Sequence, residues 1–156
     1  MGTAARMAVG VVLLVAGAAK LGQPAWRATA ATFGAPGWLA PVLPWVELSL
    51  GAALLVGLGR PWTAWGALAL LAVFTVIVAQ RLRRGDRVPC GCFGEASPAP
   101  VGLQTLARNL LLCLLALVAA LGGGDGSPTV GPAVVGVGLG MAVVVQSRRP
   151  HPHLRG

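Results

Sequence analysis

Long uncharged stretches alternate with short polar ones along this chain. Apolar runs cover roughly residues 7–21, 39–58, 62–80, 101–121 and 129–146. Each is near the ~20 residues that a helix needs to cross the hydrocarbon of a bilayer. Backbone groups in lipid must be bonded within their own segment, and a closed barrel would show shorter, alternating strands, so the runs are expected to be helices. The pattern predicts an all-α integral membrane bundle with a four-helix core and a fifth transmembrane helix. Residues 1–146 form one domain, followed by a short basic tail, 147–156, containing Pro and His.

The first and last runs are the weakest. Only thirteen uncharged residues separate Arg6 from Lys20, and the last run is rich in glycine, with Gly136 and Gly140 at a spacing that favours close helix approach. Pro41 and Pro44 lie near the start of the second run, where a kinked start rather than a break is expected. Trp38, Trp45 and Trp62 lie near run ends, as in interfacial aromatic belts; buried packing is the competing reading for Trp45.

Composition agrees with a lipid solvent. Only 10% of the 156 residues are charged and the mean hydropathy is +0.78, whereas a soluble domain carries about 25% charge. The net charge of +8 does not indicate nucleic acid, because Arg81, Arg83, Arg84, Arg87, Arg148 and Arg149 sit beside apolar runs, where topogenic charges belong, and no nucleic-acid motif accompanies them. The basic start and the small residues Ala16-Gly-Ala-Ala19 imitate a signal peptide, but the apolar run passes directly into Lys20 and Leu21, so a retained first helix is expected.

Each crossing reverses the side of the membrane. The first and third connections between spans therefore open on one face, whether the chain has four spans or five. Lys20, Glu47, Arg108 and Asn109 converge there with Cys90 and Cys92. An ionisable group inside a span costs about 2.5–3.5 kcal/mol on insertion scales, so Glu47 should face the bundle interior and pair with Lys20 or Arg108. Snorkelling of Arg108 to the interface is the plainer alternative.

The segment Arg87-Val-Pro-Cys90-Gly-Cys92-Phe-Gly94 carries the remaining chemistry. Two thiols one residue apart close only a small, strained disulfide, and strain makes such a bond labile and suited to exchange. Arg87 would favour the reactive thiolate. Metal binding is the rival reading, but a closed zinc site needs four ligands, and the other candidates, Cys113, His151 and His153, lie deep in a run or in the tail; no metal is expected. Cys113 itself reads as a buried, inert thiol.

Together, Ala16-Gly-Ala-Ala-Lys20-Leu21, Pro44-Trp-Val-Glu47-Leu48 with Gly51, Cys90-Gly-Cys-Phe-Gly94 and Leu106-Ala-Arg108-Asn109 resemble the MauE family, within the broader MauE/DoxX group of redox-associated membrane proteins. The resemblance runs from about residue 7 to 121. It implies a helical-bundle protein of the bacterial cytoplasmic membrane, linked to methylamine utilisation, that helps form disulfides in, or fold, a partner protein. Carried over, Cys90 and Cys92 are the redox pair of a thiol–disulfide oxidoreductase, with Lys20, Glu47, Arg108 and Asn109 as polar support. The implied partners are the bilayer and a thioredoxin-like or disulfide-containing protein, with no nucleic acid. The fold is also similar to that of four-helix membrane disulfide formers that pass electrons to quinones. A membrane quinone is the candidate cofactor at that level of analogy, although no quinone site is legible in the residues.

With five spans, the cysteine face collects most of the Lys and Arg, against Arg6 and Arg60 opposite, which points the cysteine loop to the cytoplasm. Oxidation of exported proteins would favour the other side. A non-catalytic assembly factor or scaffold is the competing function. A transporter is less supported, because Glu47 is the single acid within the runs.

Overall fold

In a computed structural model of the chain, the residues described are 2–23, 25–59, 61–85 and 102–122. They form five helices, α1 Gly2–Leu21, α2 Trp26–Thr32, α3 Leu39–Val56, α4 Trp62–Arg83 and α5 Leu103–Leu121, and no strand. All but α2 are long and apolar enough to cross a membrane. The chain is thus a multi-pass helical membrane protein. The fifth run, the tail and the Cys90-Gly-Cys92 segment lie outside the described residues.

The first helix is not the marginal element that its sequence suggests. It begins at Gly2, before Arg6, and Arg6 is 3% exposed rather than standing outside the span as a topogenic charge. In α1, 61% of the spanning window is buried, against 22% in both α4 and α5, so α1 is the central helix. It packs most extensively against α3 and also against α5, while α4 packs mainly on α5. The α3–α4 seam is sparse by comparison.

Small residues permit the α1–α3 approach. A Cβ built on Gly51 would stand 2.9 Å from the Gly10 carbonyl oxygen, and one on Gly17 would stand 2.8 Å from that of Pro44. Gly10 and Gly17 are seven residues apart, as are Pro44 and Gly51, so the contact recurs every second turn along both helices. The same pairs fix the direction: early α1 meets late α3, and the helices are antiparallel. Gly2 likewise meets Gly122, where a Cβ would come 2.7 Å from the Gly122 oxygen, so α5 also runs against α1.

The interior is aliphatic, with Leu13, Leu54, Ala67, Leu112 and Ala116 at its centre. Val56, Val73, Val76 and Leu114 point outward and are exposed, as expected where lipid rather than water surrounds the bundle. Trp38 and Trp62 are exposed near helix starts. Trp45 is 61% exposed, which removes the buried-packing alternative.

Candidate functional site

The second proline of α3 sets up the local geometry. Pro44 has no N–H and cannot donate to the carbonyl four residues earlier, at Ala40. That oxygen instead accepts a hydrogen bond of 2.7 Å from the indole Nε1 of Trp26. The bond docks α2 against α3. At the other end of α2, Arg81 donates to the Thr32 carbonyl oxygen at 2.7 Å and lies 5.3 Å from the Phe33 ring centroid. Gly34 then turns the chain with φ +76°, a conformation that suits glycine. This short helix thus bridges α3 and the end of α4.

Beneath it lies the ion pair. Lys20, in the last turn of α1, donates from Nζ to both carboxylate oxygens of Glu47, at 2.6 and 2.7 Å. Lys20 is 3% exposed and Glu47 0%. The cation taken by Glu47 is therefore Lys20 and not Arg108. The rings of Trp26 and Phe74 stand 5.2 and 5.6 Å from the ammonium, adding cation–π contact on two sides. Charges withdrawn from water this far must be matched, and both carboxylate oxygens are matched here.

Asn109 is also buried, at 4% exposure, in the second turn of α5 at the same end of the bundle. Its amide Nδ2 has no hydrogen-bond partner among the described residues. Arg108 beside it is half-buried. Asn109 makes no hydrogen bond to Lys20 or Glu47 among the described residues, so the four polar residues share an end of the bundle without forming one network there. The residues flanking the cysteine segment, Gly85 after α4 and Gly102 before α5, adjoin that same end. Cys90 and Cys92 themselves fall outside the described residues. Cys113 is half-buried, with Sγ 3.5 Å from the Thr75 hydroxyl, deeper in the bundle. No group of His, Cys, Asp and Glu that could hold a metal occurs among the described residues.

A family model described as methylamine utilisation protein MauE matches residues 1–122, most of the chain and every described helix. The chain belongs to the MauE family. Methylamine utilization protein MauE of Paracoccus denitrificans is 39% identical over 85 residues, covering 54% of this chain and 46% of that protein. The homologue of Methylophilus methylotrophus is 35% identical over 91 residues, 54% of this chain and 48% of its own length, and that of Paracoccus versutus is 36% identical over 83 residues, 53% and 45%. The matched region thus spans a little under half of each of these MauE proteins. No solved structure matches the chain.

Two features of this MauE member escape inspection of its motifs. One is α2 with its Trp26 anchor. The other is the glycine seam, for which the seven-residue spacing of Gly10 and Gly17 was the available signal.

Proposed function

We propose that the chain acts in methylamine utilisation as a membrane thiol–disulfide exchange protein, working on a thioredoxin-like or disulfide-containing partner through Cys90 and Cys92. The observation that carries this reading is the buried Lys20–Glu47 pair at the end of the bundle from which the Cys90-Gly-Cys92 segment departs, in a member of the MauE family. A buried, fully matched ion pair is weak support for stability alone, because an apolar pair of similar volume often serves as well. Its presence inside a span is by default a mark of function.

The exchange balances as follows. A thiolate of the reduced partner attacks one sulfur of the Cys90–Cys92 disulfide, that bond breaks, and a mixed disulfide forms. The partner's second thiolate then attacks the mixed disulfide. The partner leaves oxidised, and Cys90 and Cys92 hold two electrons and two protons as thiols. Return of Cys90 and Cys92 to the disulfide requires an acceptor of two electrons and two protons, the chemistry that a membrane quinone would supply. Arg27, Arg81, Arg83 and Arg84 crowd the cysteine end, which favours the cytoplasmic side and hence flow of reductant into the membrane. Lys20 adds nothing to that charge count, because Glu47 neutralises it.

The test is a trap. With Cys92→Ser, and separately with Cys90→Ser, one variant should accumulate a mixed disulfide with its partner, visible on non-reducing gels and reversed by dithiothreitol. If partner binding and methylamine-dependent growth both persist with both cysteines replaced, the chain is instead a non-catalytic assembly factor.

A further inference from the structure

The space between α2, α3 and α4 is apolar except for one charged group, and that group is already neutralised. The cavity measures about 240 Å³, and its wall includes Phe33, Leu43, Phe74 and Ile77 together with Trp26 and Lys20. An ordered water needs roughly 2–4 polar partners, which this lining does not provide, so the space suits an apolar occupant. Its volume falls below the ~300–1,000 Å³ typical of sites for drug-sized ligands and matches a single substituted ring. The cavity lies between the start of α3 and the second half of α4, two helices that touch only sparsely.

Charge narrows the choice of ligand. Lys20 and Glu47 together carry no net charge, so a carboxylate or phosphate head would bring an anion beside the Glu47 carboxylate. A neutral oxygen acceptor meets the ammonium without that repulsion. Trp26, Phe33 and Phe74 present aromatic surface to a flat molecule. Lys20 and Trp26 also line a second cavity of about 430 Å³, whose wall includes Gln23, Arg27 and Trp45. Lys20 and Trp26 thus line both an apolar cavity and a more polar one.

We propose that the apolar cavity binds a neutral, carbonyl-bearing ring molecule dissolved in the bilayer, of the quinone class, with its carbonyl accepting from the Lys20 ammonium. For its role as electron acceptor this rests on the exchange reading above; for binding it does not. The test uses the full chain with Cys90→Ser and Cys92→Ser, in phosphatidylcholine nanodiscs, photolabelled with an azidoquinone and competed by ubiquinone-1. Label should map to α2 and to residues 74–78. Labelling should fall at least roughly tenfold with Ile77→Trp, which fills the cavity, and with the paired change Lys20→Met/Glu47→Leu, which removes the donor; about tenfold corresponds to ~1.4 kcal/mol. Val73→Trp, on the outward face of α4, should leave it unchanged. Should Ile77→Trp fail to fold, Ala30→Leu narrows the same cavity from α2. Label that ubiquinone-1 does not displace, or that is indifferent to the cavity variants, overturns the proposal. Displacement by palmitate as effective as by ubiquinone-1 also overturns it, in favour of a carboxylate site. Because the probe is read without thiols, a failed disulfide trap leaves this result standing, and failed labelling leaves the trap standing.

Discussion

The two long faces of α3 are built on opposite principles. Toward α1, glycines bring backbones together and leave no space for a methyl group. Toward α4, contacts thin out, a cavity opens, and Lys20, paired with the buried Glu47, forms part of its wall. In a bilayer, helices gain little from hydrophobic exclusion and associate through close packing and polar contacts. The α1–α3 face uses the first means to hold the bundle, which leaves the second available for chemistry on the other. The ion pair links the two faces, because Lys20 comes from the tightly packed helix and reaches across to the looser side.

The contrast can be broken most severely at the charges. Lys20→Met leaves the Glu47 carboxylate buried without its cation and should destabilise the bundle by about 3–5 kcal/mol, measured by unfolding in mixed micelles. Lys20→Met/Glu47→Leu should recover most of that loss while abolishing function, which would separate a functional pair from a structural one. If the double variant is as unstable as the single one, the pair is needed for folding. Next comes the packed face. Gly51→Val forces a side chain to within 3 Å of the α1 backbone and should cost roughly 1–3 kcal/mol, seen as a lower Tm. A cost no larger than that of Gly66→Val would mean that the seam is not close-packed, since Gly66 meets only the flexible end of the Leu50 side chain.

Smaller effects sharpen the role of α2. Trp26→Phe removes the donor to the carbonyl freed by Pro44 and should cost about 1 kcal/mol; in the Pro44→Ala background, where a helical N–H can satisfy Ala40, the same change should cost measurably less. Non-additivity in this double-mutant cycle would be the signature of the shared oxygen. Smallest of all, Trp45→Ala, on an exposed position, should shift stability by less than about 0.5 kcal/mol.

Much of this was legible in the residues, and the exceptions share a cause. The four described spans coincide with apolar runs because the bilayer imposes a length that hydropathy reports directly. Glu47 could be marked as an inward-facing, paired residue because no other acid lies within a run. The choice of Lys20 over Arg108 could not, since it depends on how α1, α3 and α5 are rotated about their axes. Hydropathy puts the start of α1 too late because a charge ends an apolar run, whereas Arg6 is accommodated within the fold. The seven-residue α2 is too short to register against a window of about 19 residues.

The sequence alone determined that this chain spans the bilayer as antiparallel helices, and which polar residues must gather at one end. Solvent transfer and the alternation of sides depend on composition and order, and both are local or countable. Tertiary structure decided which helix is central, which cation Glu47 takes, and that a proline in one helix is answered by a tryptophan from another. Those outcomes rest on distances of a few ångströms between segments far apart in the chain, set only when the helices pack.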